Sequence, residues 1–206
     1  MTEKRRYFEA LYGASSDPYA LRTRWYEARK RAVLLAALPL PRYASAYEPG
    51  CGIGELTAQL APRCDRLLAS DFNADAVAAA RHRTAGMGHV AIERHVLPGD
   101  WPPLQAGLPL GGQFDLIVLS EVGYFLDAAA MASIAGHCDR SLSQNGTLVA
   151  CDWRPDFAER VLSTADVQAT LATIGLGCIV RHEEDDFMLQ IWSRDRRSVA
   201  QQEGIR

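Results

Sequence analysis

Apolar residues alternate between short runs and helical stripes over most of the chain. Runs at 44–47, 67–70, 90–94, 114–120 and 147–151 predict strands, and amphipathic stretches at 55–61, 74–83, 128–142 and 165–174 predict helices. The run FDLIVLS at 114–120 has the unbroken apolar character of a strand buried on both faces. Regular strand–helix alternation predicts a doubly wound, mostly parallel α/β sheet of the Rossmann-like kind, with helices on both faces.

Two apolar runs near the C-terminus, 178–181 and 187–192, are separated only by a turn around EEDD. A connection this short cannot hold a crossover helix, so these strands are expected to be an antiparallel pair. The Pro- and Gly-rich stretch 98–113 is predicted to be the one long loop, as a lid, a substrate edge or a surface insertion. Residues 194–206 are expected to form a flexible tail.

An N-terminal helical lid, residues 1–42, is predicted to precede the single sheet domain, residues 43–193. Asp17 and Pro18 are residue types that begin a helix, and the prolines at 39 and 41 end it. The apolar stripe of this predicted helix is Leu21, Trp25, Ala28, Ala32 and Leu35.

Composition excludes several classes of function. The 206 residues carry a net charge of -3, which gives no attraction to nucleic acid or to an anionic membrane. No apolar run reaches the length of a membrane span, and the polar N-terminus lacks the apolar core of a secretory signal. The five cysteines include no C-x-x-C pair and the histidines are dispersed, so we expect a cytoplasmic protein without a metal.

The glycine-rich stretch YEPGCGIGELT, residues 47–57, follows the first predicted strand, where open α/β sheets bind ligands. A dinucleotide fingerprint fits Gly50 and Gly52 but has Glu55 at its third position, where a carboxylate would oppose the pyrophosphate. The Gly-Lys-Ser/Thr ending of a phosphate-binding P-loop is missing as well.

A ligand without a pyrophosphate and with positive charge suits this loop better, and S-adenosylmethionine is such a ligand. Glycine backbone allows close approach of its amino-acid part and ribose. Glu48 can hold the loop or accept a hydrogen bond from the ligand's ammonium, and Asp71, at the end of the second strand, can accept the ribose hydroxyls. Phe72 beside it is a candidate for packing on the adenine.

Three motifs together resemble those of the class I S-adenosylmethionine-dependent methyltransferases: EPGCGIG, LLASD at the second strand end and FDLIVLSEV at the fourth. Four further motifs are similar to the nodulation protein S type, which N-methylates an amino sugar of a deacetylated chitin oligosaccharide. These motifs are DPYxxRxxWYExRK, LAPRCDRLLA, SEVGYFL and RHEEDDF. The resemblance implies S-adenosylmethionine as cofactor, S-adenosylhomocysteine as product and a small-molecule or sugar acceptor, in a monomer or homodimer.

Candidate catalytic residues follow the fourth strand. Glu121 is expected to orient the acceptor amine and relay its proton, and Tyr124 to shape the acceptor pocket. Ser120 offers its carbonyl to the cofactor's ammonium, whereas Trp25 and Arg29 are expected to close the pocket, with Arg29 on the methionine carboxylate. The full set of predicted cofactor contacts is Tyr19, Trp25, Arg29, Glu48, Gly50, Cys51, Gly52, Gly54, Asp71, Phe72, Val96, Ser120 and Glu121.

Two departures and two alternatives accompany this hypothesis. In the methyltransferases that this chain resembles, a carboxylate is common near the end of the third strand, where this chain has His95-Val96-Leu97. Gly123 stands where those proteins usually have a larger apolar residue, and this difference is expected to widen the acceptor pocket. An O-methyltransferase for small molecules and a non-catalytic S-adenosylmethionine-binding protein remain open as alternatives to N-methylation.

Overall fold

Seven strands form one sheet in the computed structural model, which describes residues 3–104 and 109–206. The strands are β1 (Ala46–Pro49), β2 (Leu67–Asp71), β3 (Val90–Arg94), β4 (Phe114–Ser120), β5 (Leu142–Trp153), β6 (Gly177–Glu183) and β7 (Phe187–Ser193). Their order is β3-β2-β1-β4-β5-β7-β6, with β1 to β5 parallel and β7 antiparallel to both β5 and β6. The predicted Rossmann-like sheet with an antiparallel C-terminal pair is confirmed.

Helices accompany the strands and begin where local capping groups are available. They are α1 (Glu3–Ala14), α2 (Trp25–Ala37), α3 (Glu55–Leu60), α4 (Ala74–Arg83), α5 (Ala128–Ser141), α6 (Thr164–Ala172) and α7 (Val199–Gln202). Single 3₁₀ turns lie at Ala61–Arg63, Pro109–Gly112 and Gly123–Phe125. Asn73 caps α4 by accepting the amides of Asp75 and Ala76 at 2.9 and 3.0 Å, and Asp127 caps α5 in the same way.

Apolar residues of β4 pack into two separate hydrophobic cores, because successive side chains of a strand point to opposite faces of the sheet. Leu116 and Val118 pack with the apolar residues of α2 and α3. Ile117 and Leu119 pack on the other face with those of α5 and α6. Both faces of the sheet are therefore covered, and ligand access is left to the edge where the parallel strands end.

The N-terminal helices differ from the prediction. Helix α2 begins at Trp25, not after Asp17, because the Asp17 carboxylate accepts the amides of Leu21 and Arg22 at 2.7 and 3.0 Å in a separate turn, and Ala20 adopts a positive φ of 55°. The buried residues of α2 are Lys30, Arg31 and Leu34, so the predicted apolar stripe is wrong. Helix α1 is an additional helix within the predicted helical segment 1–42, and its residues Phe8, Leu11 and Tyr12 have helical spacing.

The Asn145-Gly146 pair, a combination typical of turns, lies inside β5, which continues through it. Phe114 pairs with Leu142 and Leu116 with Thr147, so two steps along β4 match five along β5. The extra residues form a bulge. Gly146 is required there, since a Cβ at this position would lie 2.5 Å from Leu142 Cγ.

Two further predictions concern the loop 98–113 and the tail 194–206. Of the predicted loop 98–113, residues 105–108 lie outside the described residues, and its predicted role as a lid stays a prediction. The predicted tail contains the one-turn helix α7, which Ser198 caps through the amide of Gln201. Across residues 3–104 and 109–206, no helix combines the length and apolar character needed to cross a membrane.

Candidate active site

A cavity of about 770 Å³ opens at the carboxyl edge of the sheet, under α1 and the start of α2. Eleven of the predicted site residues line it: Tyr19, Glu48, Gly50, Cys51, Gly52, Asp71, Phe72, Val96, Ser120, Glu121 and Tyr124. They come from the ends of β1, β2, β3 and β4 and from the segment before α2. This volume and position are those of a small-molecule site.

The glycine loop after β1 is fixed to the neighbouring strand by backbone bonds. The amides of Gly50 and Cys51 both donate to the carbonyl of Ser70, at 2.7 and 2.9 Å. Gly50 has φ 77°, and a Cβ there would lie 2.1 Å from Val122 Cγ2. Only glycine fits this position, because both the left-handed backbone and the close approach of Val122 exclude a side chain.

Asp71 ties the loop to the end of β2. Its carboxylate accepts the amide of Gly52 at 3.0 Å and the amide of Asn73 at 2.9 Å. Burial raises the pKa of Asp71, and these amides offset part of that effect. Each carboxylate oxygen still has a lone pair that a ligand hydroxyl at this edge can use.

Glu48 is a buried acid without a full set of partners. It is 3% exposed, and its Oε2 has no hydrogen-bond partner among the described residues. Burial raises the pKa of Glu48 to about 8; the nearby Thr57 hydroxyl offsets little, since its own oxygen forms no hydrogen bond of normal geometry. A cation bound beside Glu48 would favour its ionised form.

Arg31 is a buried base that lines the same cavity. It lies on the inner face of α2 and is only 7% exposed. Its Nε has no hydrogen-bond partner in the part of the chain that the structure describes. A guanidinium in this state has donors free for an anion, which burial would make favourable.

Glu121 follows β4 in a left-handed conformation, with φ 61°. Three donors converge on its carboxylate: Lys30 Nζ at 2.6 Å, the amide of Trp153 at 3.0 Å and the hydroxyl of Tyr124. A positive φ in a non-glycine residue is strained and persists where surrounding contacts fix it, as these three do.

Lys30 is the cation of this group, with a side chain only 7% exposed. It also lies 3.2 Å from a carboxylate oxygen of Glu27, one turn earlier on α2. Burial alone would lower the pKa of Lys30, but Glu121 and Glu27 together raise it above its ordinary value. Lys30 is therefore charged, and Glu121 is held as its counter-ion.

Helix α1 covers the cavity with aromatic side chains. Phe8 meets Phe72 and Phe125 edge to face, with ring centroids 5.5 and 5.0 Å apart. The Tyr12 hydroxyl lies so close to the glycine loop that a Cβ on Gly52 would be 3.4 Å from it. These side chains form the wall of the cavity on the α1 side.

Three of the predicted site residues, Trp25, Arg29 and Gly54, do not line the cavity. Trp25 is 76% exposed. Arg29, on the outer face of α2, forms a bidentate pair with Glu184 at 2.6 and 2.7 Å. Gly54, with φ 80°, lets α3 pack on α4, since a Cβ there would lie 3.0 Å from Ala80 Cα. We leave these three out of the ligand contacts proposed below.

Two further expectations change in the folded chain. The Glu55 carboxylate is paired with Arg22 and Arg83, each at 3.0 Å, so it opposes a pyrophosphate less strongly than the sequence predicts. Gly123 does not widen the cavity: it is buried against α6, where a Cβ would lie 2.4 Å from Val167 Cγ1.

His95, at the end of β3, has both ring nitrogens engaged. Nδ1 lies 3.2 Å from the Tyr47 hydroxyl and Nε2 lies 3.0 Å from a Glu93 carboxylate oxygen. The amide of Val96 donates to Asp100 at 2.8 Å. His95 therefore shapes this wall of the cavity without a ring nitrogen left for a ligand.

Sequence reasoning missed the residues that face the cavity from α1, from the buried side of α2 and from the segment after β5. They are Tyr7, Phe8, Tyr12, Glu27, Lys30, Arg31, Trp153 and Phe157; Tyr26, next to the predicted lid residue Trp25, also lines the cavity. Only the helical period of α2 could have identified Glu27, Lys30 and Arg31, had its buried face been known. Within the described ranges, no three His, Cys, Asp or Glu side chains are grouped so as to hold a metal ion.

Comparison with known proteins identifies a family that this chain matches. A model of the family described as nodulation protein S matches residues 9–173. The nodulation protein S of Rhizobium tropici is 34% identical over 139 residues, covering 66% of this chain and 55% of that protein. The nodulation protein S of Bradyrhizobium diazoefficiens is 30% identical over 166 residues, covering 77% of this chain and 73% of that protein.

Solved structures share the fold. A crystal structure described as a putative methyltransferase from Pseudomonas syringae is 44% identical, with a TM-score of 0.72 over 83% of this chain and 100% of that one. The N-methyltransferase of Bradyrhizobium japonicum, solved with S-adenosylhomocysteine, is 24% identical, with a TM-score of 0.79 over 94% and 100% of the two chains. At that identity the likeness concerns the fold.

Proposed function

The chain belongs to the nodulation protein S family, and we propose that it transfers a methyl group from S-adenosylmethionine to an amine of a small polar acceptor. An amino sugar or oligosaccharide is the acceptor class that the family resemblance favours. The match spans little more than half of the Rhizobium tropici relative, so acceptor and activity are part of this proposal.

The observation that carries the proposal is a buried acid and a buried base, each with a polar atom that lacks a partner. Glu48 Oε2 and Arg31 Nε are both buried, both unsatisfied and both on residues that line one cavity. Buried polar groups in proteins are rarely left unpaired, so each is expected to have a ligand partner. The methionine part of the cofactor supplies both, an ammonium for Glu48 and a carboxylate for Arg31.

The nucleoside part fits the remaining wall. Asp71 accepts the ribose hydroxyls while keeping its bonds to the amides of Gly52 and Asn73. Phe72 and Val96 flank the space for the adenine, beside His95. Gly52 leaves space for the ligand between the loop and the Tyr12 hydroxyl of α1.

Methyl transfer is an in-line displacement at a carbon that the sulfonium already activates. The acceptor's lone pair forms the new bond to carbon, and the electrons of the C–S bond stay on sulfur. The chain's own residues then act by positioning and by excluding water, which alone can supply effective molarities of ~10⁵ M or more. The aromatic cover from Phe8, Phe125 and Tyr124 performs the exclusion.

Several finer features belong to the same proposal. Residues 1–42 act as a lid, with α1 as its closing element. The protein works as a monomer or homodimer in the cytoplasm, without nucleic acid as a substrate, as its net charge of -3 suggests.

The cofactor assignment is tested by calorimetry of the wild-type chain with S-adenosylhomocysteine, S-adenosylmethionine and NAD. Binding of the first two without NAD is expected. NAD binding without a response to S-adenosylhomocysteine would overturn the assignment. A labelled-methyl screen of amino sugars, hydroxylated sugars and small amines then separates N-methylation from O-methylation, and binding without transfer would indicate a non-catalytic protein.

A further inference from the structure

Glu27 is a second carboxylate beside the cavity that the site described so far does not use. It lies in the first turn of α2 and lines the cavity, with a side chain 13% exposed. Among the residues that the structure describes, its partner is Lys30 Nζ, at 3.2 and 3.3 Å from its two oxygens. Glu27 therefore keeps most of its acceptor capacity.

Glu121 differs in this respect. Its Oε1 accepts a short contact from Lys30 at 2.6 Å, and its Oε2 accepts both the Trp153 amide and the Tyr124 hydroxyl, so three of its four acceptor positions are in use. The one position left for a proton lies on Oε1, the oxygen that pairs with the Lys30 cation, and protonation there would weaken that pair. The geometry thus gives Glu121 the task of holding Tyr124 and Lys30 in place.

Charge counting leads to the same residue. One lysine stands between two carboxylates, so the group Glu27–Lys30–Glu121 carries one net negative charge. Lys30 is drawn toward Glu121, at 2.6 Å against 3.2 Å, which leaves the uncompensated part of the charge on Glu27. A cationic acceptor is attracted to that side of the cavity.

We infer that Glu27, not Glu121, binds the acceptor's ammonium group and removes its proton before methyl transfer; this rests on the proposed function. The ammonium N–H bond breaks, its electron pair stays on nitrogen, and the proton passes to a Glu27 oxygen. The neutral amine then attacks the methyl carbon, and the proton leaves Glu27 for water at the cavity mouth. Glu27 is a catalytic residue and Lys30 a positioning residue.

Titratable and charged groups around this position come from α2 and the residue before it, from the segment after β4, and from β5 and the segment after it. They are Tyr26, Lys30 and Arg31 on α2, Arg24 before that helix, Glu121 and Tyr124 after β4, Cys151 on β5 and Glu159 after β5. Lys30 stays charged in the working range because Glu121 and Glu27 raise its pKa against the opposing effect of burial.

Comparison of Glu27→Gln with Glu121→Gln tests this assignment. Methyl transfer to glucosamine is followed from pH 6 to 10, with glucose as the hydroxyl-only probe and Glu203→Gln, an exposed tail substitution, as the control. We expect Glu27→Gln to lower kcat/KM by ~10²-fold near neutral pH and to recover as the amine becomes neutral in solution. S-adenosylhomocysteine binding should stay within about 3-fold of wild type, on the scale of a group that does not touch the cofactor.

Glu121→Gln should lower turnover at every pH without this recovery, because it disturbs the position of Tyr124 and Lys30. The inference is overturned if Glu27→Gln keeps the wild-type rate and pH profile, or if only Glu121→Gln is rescued at high pH. Methylation of glucose but not glucosamine by wild type would overturn it while leaving methyl transfer intact. Failure of wild type to bind S-adenosylhomocysteine would instead refute the proposed function, and the inference with it.

Discussion

Arg31 gives a sharp prediction because two arginines of one helix have opposite environments. Arg31 is 7% exposed, lines the cavity and has an unpartnered Nε, whereas Arg29 is paired with Glu184 outside the cavity. Arg31→Met keeps the length and apolar stem of the side chain and removes the guanidinium. Arg29→Met is the matched control, two residues away on the same helix.

The expected magnitude follows from hydrogen bonds between charged groups. Such bonds contribute about 1.5–3 kcal/mol, and loss of 2–3 kcal/mol raises a Kd by about 30- to 150-fold. Arg31→Met should weaken S-adenosylhomocysteine binding by this factor. Arg29→Met should leave Kd unchanged, because the Arg29 guanidinium is paired with Glu184 outside the cavity.

The thermal stability of the ligand-free Arg31→Met variant is a second, independent test. A buried guanidinium with an unsatisfied donor disfavours folding, so its replacement by methionine should leave the Tm unchanged or higher. Calorimetry and thermal melts of the two variants, with and without S-adenosylhomocysteine, measure both effects. Equal affinity in Arg31→Met and wild type, or a comparable loss in Arg29→Met, would refute the assignment of Arg31 to the ligand carboxylate.

Three other predictions concern Asp71, Glu48 and Gly50. Asp71→Ala should weaken S-adenosylhomocysteine binding by about 1.5–3 kcal/mol in a folded protein; unchanged affinity by calorimetry would leave Asp71 a loop anchor only. The pKa of Glu48, raised to about 8, means that the folded ligand-free state holds an extra proton between the unfolded value and pH 8, so stability falls as pH rises through that window. Denaturation across pH should show a shallower slope for Glu48→Gln than for wild type, and equal slopes would count against a protonated Glu48. Gly50→Ala should lower stability by about 2 kcal/mol or more, since left-handed strain adds to the contact with Val122; a wild-type urea midpoint would contradict this.

The sheet was predictable because its signals are local. Strand β4 is one unbroken apolar run, and α4 has both its Asn73 cap and its C-terminal basic residues within a few positions of its ends. Glycine spacing and Asp71 likewise belong to short motifs at strand ends. Such features depend on neighbours in the sequence, so the residue pattern is sufficient to place them.

The cover of the cavity was not predictable in this way. Lys30 and Arg31 read as a solvated basic run, and only their contacts with distant residues explain their burial; the partner Glu121 lies 91 positions further along the chain. Arg29 and Arg31 are the same residue type and lie only two positions apart. They nevertheless lie on opposite faces of α2, because two residues turn a helix by about 200°. Tertiary packing, which the local pattern does not specify, decides which of them faces the ligand.

The central claim is that this cavity binds S-adenosylmethionine and delivers its methyl group to an amine. Incubation of wild type with methyl-labelled S-adenosylmethionine and glucosamine, followed by mass spectrometry of the product, tests it most directly. The account predicts one S-adenosylhomocysteine for each label transferred, with the label on nitrogen. Label on oxygen would contradict N-methylation, and no transfer to any amine of the screen by a protein that binds S-adenosylhomocysteine would contradict catalysis.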